Sequence, residues 1–223
     1  EIAGFAPSGG ADAGGDSDAA DWVFSQSELA LRSGTLRYRD EQRGDMPLEL
    51  GGVQAVLRNQ GRRHALRFDG TPPPEIGSAL SLSMQMRHPL WSTHEGRWQD
   101  WEGQVYVDAH AIDLARLYAH VDWGEGKLAS GRGNLRAWLD VVRGRVTGGV
   151  LDLALEGLDA RLPGAREALA LREAIGRVSV RELAGGFEIA SQGLQFETRA
   201  GVRWPGGNVF VSVQQGEGRL PGR

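Results

Sequence analysis

Residues 151–162 read LDLALEGLDARL. Leu151, Leu153 and Leu155 alternate with polar or small residues. The chain then reaches Glu156-Gly157, and Leu158, Ala160 and Leu162 alternate again. Successive side chains of a strand point to opposite faces, so each half of the stretch has one apolar and one polar face. Leu155 and Leu158 are three apart, which in an unbroken strand sends them to opposite sides. A β-bulge at the glycine would re-phase the strand, and a two-residue hairpin turn would set its flanks on one side. Either device keeps the apolar face continuous. LELGGVQAVL from residue 48 and FEIASQGLQF from residue 187 repeat the pattern, an alternating set, a Gly break and alternation in the opposite phase.

Period-two alternation extends in both directions from this stretch. Leu29/Leu31, Leu36/Tyr38, Leu66/Phe68, Leu80/Leu82/Met84/Met86, Val105/Val107, Leu135/Ala137/Leu139/Val141, Val178/Val180 and Val209/Val211/Val213 all follow it. Strict alternation over short windows marks half-buried strands, and one wet face favours antiparallel pairing. The fold expected is mainly β: a large, curled, groove-like antiparallel sheet with one or two short helices. IDLARLYAHV at 112–121 has helical spacing, with Asp108 or Asp113 near its start. AREALALREAIG at 165–176 has helical propensity but also alternates. Gly131-Arg132-Gly133-Asn134 lies between strand-like segments and reads as a turn.

Residues 6–21, APSGGADAGGDSDAAD, offer almost nothing to a core. Residues 1–21 are therefore expected to form a flexible linker or loop, and 22–223 a β-domain segment. The aspartates of the linker lack the frame of a calcium loop. No run of about 18 apolar residues could cross a bilayer as a helix. The chain begins without a Met or a signal sequence, as a segment of a longer protein would.

The net charge of −4, with arginines interleaved among acids as in Arg37-Tyr38-Arg39-Asp40-Glu41, gives no basic footprint for nucleic acid. The absence of cysteine removes disulfides, thiol catalysis and Cys-based zinc sites. His64, His88, His94, His110 and His120 form no metal-binding frame, and neither a G-x-S-x-G elbow nor a P-loop occurs. Asp140, Asp152 and Asp159 fall on the polar side of strands, as solvated carboxylates do. No enzyme, cofactor or metal is expected.

Roughly a dozen strands at about 4.8 Å spacing would make a sheet about 55 Å across. Leaving two or three apolar residues per strand in water forfeits about 1.5–3 kcal/mol for each one that burial would protect. One helix cannot cover such a face. It must meet a second sheet or bend into a gutter filled by an apolar ligand.

A resemblance bears on this choice. Residues 103–148, GQVYVDAHAIDLARLYAHVDWGEGKLASGRGNLRAWLDVVRGRVTG, are similar to part of the YhdP-type proteins of Gram-negative bacteria, within the AsmA-like group. Residues 31–38 (LRSGTLRY), 63–67 (RHALR), 176–178, 186–188 and 194–196 continue the resemblance, which spans most of residues 22–205. The stretch 6–21 has no counterpart in it. The resemblance implies a long periplasmic β-structure with a hydrophobic groove. The protein would be tethered to the inner membrane by a transmembrane anchor absent from this chain, and would carry phospholipid toward the outer membrane. Its partners would be phospholipid, the rest of the same chain, and inner- and outer-membrane contacts outside this segment.

The candidate groove residues are Leu48, Leu50, Leu82, Met84, Leu135, Leu139, Leu151, Leu153, Phe187 and Ile189. Met84 suits a track for varied chains, since methionine is unbranched and adaptable. The rival reading is a closed β-sandwich that binds or scaffolds envelope components, with Trp91, Trp98 and Trp101 as a glycan platform. An envelope hydrolase ranks third.

Overall fold

The computed structural model describes residues 15–38, 48–90, 98–120, 127–161 and 167–214. Helix α1 (Gly15–Ser25) precedes strands β1 (Glu28–Tyr38), β2 (Leu48–Gln60), β3 (Arg63–Thr71) and β4 (Ala79–Arg87). A 3-10 turn (Trp98–Asp100) leads into β5 (Glu102–Asp113), followed by helix α2 (Leu114–His120). Then come β6 (Lys127–Val142), β7 (Arg145–Arg161), β8 (Leu169–Leu183), β9 (Gly186–Thr198), β10 (Arg203–Trp204) and β11 (Val209–Gln214).

Every strand from β1 to β9 pairs antiparallel with its neighbour in sequence, in one sheet. β10 and β11 both line the far edge of β9, at Phe196–Glu197 and Gly186–Ser191 respectively. The two ends of the sheet do not meet, so it is open and not a barrel. The expected large curled antiparallel sheet with two short helices is the fold that forms.

The three Gly-broken stretches each lie within a single strand. Gly52 (φ 59°), Gly157 (φ 61°) and Gly193 (φ 58°) sit in the left-handed region inside β2, β7 and β9. The register slips beside each of them, so the device is a bulge and not a hairpin turn. Ser33 (φ 60°) in β1 and Ala111 (φ 50°) in β5 bulge likewise without glycine. Three of these bulges place a backbone polar group on a neighbouring polar side chain. Ala111 N donates to Asn134 Oδ1 (2.9 Å), Ser130 Oγ donates to Gly157 O (2.7 Å), and Gly193 N donates to Asn208 Oδ1 (3.1 Å). Backbone groups that lose a ladder partner must find another, and here the neighbouring side chains supply it.

Four sequence expectations need correction. Residues 15–21 of the expected linker are helical, the N-terminal part of α1; residues 1–14 lie outside the described residues. The helical reading of 165–176 fails, because Leu169–Leu183 is a strand whose Leu171 and Ala174 are buried at a sheet end. Tertiary burial overrides local propensity there. Gly131–Asn134 is not a turn but the middle of β6. A Cβ at Gly133 would lie 2.0 Å from Ala154 O, so glycine serves close approach of the β7 backbone. Helix α2 begins only at Leu114, with Asp113 Oδ1 accepting from Arg116 N (3.1 Å), and Ile112 and Asp113 belong to the end of β5.

Candidate functional site

Cross-strand register carries apolar positions across the whole sheet. One row runs Leu31, Ala55, Phe68, Leu82, Val107, Ala137, Leu151, Val178, Ser191, Val209. The next runs Leu29, Leu57, Leu66, Met84, Val105, Leu139, Gly149, Val180, Ile189, Val211. Ser191 is the single polar interruption, and its Oγ accepts from Val209 N (3.1 Å). A third, shorter row contains Leu80, Ala109, Leu135, Leu153 and Gly176.

All ten predicted groove residues project from this one face. Leu82, Met84, Leu135, Leu139, Leu151, Leu153 and Ile189 lie in the three rows. Phe187 lies two residues beyond Ile189. Leu48 and Leu50, opposite Tyr38 and Leu36, are returned to the same side by the paired bulges at Gly52 and Ser33. Leu50 differs from the rest in being buried, at 6% exposure.

Nothing among the described residues lies over the middle of this face. Leu31, Val180, Phe187, Val209 and Val211 are each more than 40% exposed, and the row centres from Leu57 to Leu151 are only half-buried. A facing sheet would bury them. The uncovered strip spans ten strands, about 45 Å, and two to three residues in depth. That is on the order of several hundred Å², the size at which an exposed apolar patch signals a binding surface.

Apart from Ser191 in the first row, burial is concentrated at the two borders, where the strands end. At one border Trp101 (1% exposed), Met86 and Val141 form a cluster against which Phe24, Met84 and Val105 pack. The His64 ring stacks on Trp101 at 4.1 Å between centroids, and His88 lies 5.5 Å from His64. His64 Nδ1 bonds Asn59 Oδ1 (2.8 Å). Burial, reinforced by the nearby His88, lowers the His64 pKa from 6.5 to about 4, so the ring is neutral near pH 7. At the other border Leu50, Val53, Ile76, Ala109, Ile112, Leu155, Leu171 and Ala174 are buried. There the 72–78 loop folds onto Ile112: Asp113 N donates to Ile76 O (2.7 Å), and Ser78 N to His110 O (2.9 Å). The two borders leave a strip running perpendicular to the strands, walled on its long sides and open over its floor.

The opposite face is polar and cross-linked by ion pairs between adjacent strands. Arg37–Glu49, Arg58–Glu28, Arg87–Glu102, Arg177–Asp152 and Arg181–Glu188 are examples. Asp152 takes two bonds from Arg177, at 2.5 and 2.7 Å, and these hold its carboxyl below the usual range. Such exposed pairs are worth about 0–1 kcal/mol each, and like the hydrophobic alternation they fix register more than stability. Tyr106 and Trp138 sit together on this side, with Arg177 over the Trp138 ring at 5.8 Å. Among the described residues no group of three His, Asp or Glu is placed to hold a metal ion.

Of the three loop tryptophans, Trp101 is the centre of the border cluster and not an exposed platform. Trp98 opens the 3-10 turn, and Trp91 lies outside the described residues. Sequence reasoning missed the His64–Trp101 stack, since β3 and the 3-10 turn are joined only through tertiary structure. It also missed Ile112 as a border residue, because the Ala111 bulge that redirects it has no glycine signal.

The family described as YhdP protein matches residues 6–222 of this chain. The match includes the 6–21 stretch, which sequence reading had left without a counterpart. No curated protein and no solved structure matches.

Proposed function

The chain belongs to the YhdP family, and we propose on that premise that its uncovered apolar strip is a track for the acyl chains of phospholipid. The observation that carries this reading is the continuity of the two rows across ten strands, with no layer over them among the described residues. A strip of that kind recognises long hydrocarbon with little regard to its detail, because dispersion and apolar burial are non-directional. The polar face and the strand-end turns keep contact with water. Lipid would enter from one neighbouring stretch of the longer chain and leave to the next, without any bond being made or broken. In this proposal the segment is a non-enzymatic part of a periplasmic bridge, anchored in the inner membrane elsewhere in the chain and directed toward the outer membrane. Leu82, Leu139, Leu151 and Ile189 would touch the moving chains directly. Leu50 would instead support the border wall.

The test is a photo-crosslinking residue at Leu82 and, as control, at its polar-face neighbour Ser83, each in the full-length protein in cells. Covalent phospholipid at position 82 and not at 83 is expected. Equal labelling of both, or crosslinks at 82 only to the protein's own chain, would remove the track.

A further inference from the structure

We propose that α1 is a displaceable strap whose Phe24 ring closes part of the lipid track at the Trp101 border and swings away when an acyl chain occupies Met84 and Val105. The inference rests on the track reading above and assigns its regulation.

Phe24 reaches the apolar face at one place. Its ring meets Trp101 edge-on at 4.6 Å and His64 at 5.3 Å. The buried Met86–Trp101–Val141 cluster that receives it is also the cluster against which Met84 and Val105 pack. Those two residues are adjacent members of an exposed row. A hydrocarbon chain lying over Met84 and Val105 would therefore compete with the Phe24 ring for the same apolar shelf.

The C-terminal end of α1 is attached locally. Asn59 Nδ2 donates to Gln26 O (2.6 Å) and Val23 O (3.3 Å), while its Oδ1 is held by His64. One side chain on β2 thus clamps the C-terminal end of α1. The clamp is oriented by the same ring on which Phe24 rests. Just beyond, Asn59 N donates to Ser27 O (2.9 Å), a backbone bond belonging to the start of β1. That bond can persist when α1 leaves, so Gln26–Ser27 is the pivot.

The helix itself adds little. It has 11 residues, opens with Gly15, contains Asp16, Asp18 and Asp21, and carries no basic side chain in its last turn to meet the helix dipole. Isolated helices of this length are marginal in water. Trp22, its largest side chain, is 60% exposed. A short helix whose largest side chain is mostly exposed belongs to the low-stability end of a fold, where moving parts are found.

The full-length protein is tested with a photo-crosslinking residue at Met84, beside Phe24, or at Leu151, far along the strip. Each is combined with Phe24→Ala or Asn59→Asp. Phospholipid labelling at Met84 should rise threefold or more in both variants, with labelling at Leu151 unchanged. Labelling at Leu151 with no rise at Met84 in either variant would overturn the strap and leave the track standing. Absence of phospholipid at Leu151 in the otherwise unaltered protein would overturn the track, and the strap with it. Asn59→Asp keeps an acceptor for His64 Nδ1 and removes only the donor to α1, so it decides the matter if Phe24→Ala also lowers labelling at Leu151.

Discussion

The Trp101 border and the centre of the strip are built from the same alternating strands, yet they obey different rules. At the border, Trp101, His64, Met86 and Val141 are buried against one another, with Phe24 of α1 packed on them. In the centre, Leu82, Val107, Ala137 and Leu151 are half-buried and, among the described residues, held by strand neighbours on either side. The border therefore behaves as an ordinary small core, in which packing determines stability. The centre is a surface that happens to be apolar, in which the backbone ladder determines structure and the side chains are free to serve another purpose. Substitutions should separate the two regions.

The largest effect is expected at the border. Trp101→Ala removes the central ring of the cluster and should cost about 3–5 kcal/mol, read as a lowered denaturant midpoint. A cost under about 1 kcal/mol would erase the distinction between the regions.

The pH dependence is next. His64 has its folded-state pKa depressed from 6.5 to about 4. Between these values the unfolded chain binds a proton that the folded chain does not. The contribution of His64 is therefore full above about pH 6.5 and is lost as pH falls toward 4, by up to about 3 kcal/mol. Equilibrium unfolding across this window should show the loss in the parent chain and much less of it in His64→Gln. A parent chain no less stable at pH 4.5 than at pH 7 would contradict a buried neutral His64.

A smaller effect tests the sheet between the regions. Gly157 has φ 61° and open space where a Cβ would go, so Gly157→Ala isolates backbone strain. About 1 kcal/mol is expected, with the fold retained. A neutral result would mean that the strand re-registers without its bulge. Smallest of all is Arg177→Gln, which removes an exposed ion pair with Asp152 and should cost about 1 kcal/mol or less. A much larger loss would mark the polar face as a buried interface.

The centre of the sheet was far more legible in sequence than its borders. Period two identifies a strand and its apolar face from residues a few positions apart, so all ten groove candidates land on one side. The Gly-broken stretches marked where the strands re-phase, as a bulge or a hairpin turn, whereas the bulges at Ser33 and Ala111 carry no glycine and left no mark. What failed depended on distant residues. The 169–183 strand carries helical residues that burial of Leu171 and Ala174 overrules. Gly131 and Gly133 looked like a turn because a glycine serving close strand approach is indistinguishable in sequence from one serving a turn. The polar composition of residues 15–21 concealed a helix whose aromatic anchor, Phe24, lies beyond them.

The most direct test of an open, lipid-bearing face is a charge placed in its centre. Leu151→Asp is to be examined twice in the full-length protein, by thermal unfolding and by counting phospholipid retained per chain after mild purification. An open track predicts that the variant stays folded, with a melting temperature within a few degrees of the parent, and retains much less lipid. Collapse of the fold would show that Leu151 lies in a closed core, and undiminished lipid would show that the lipid lies elsewhere; either result contradicts the account.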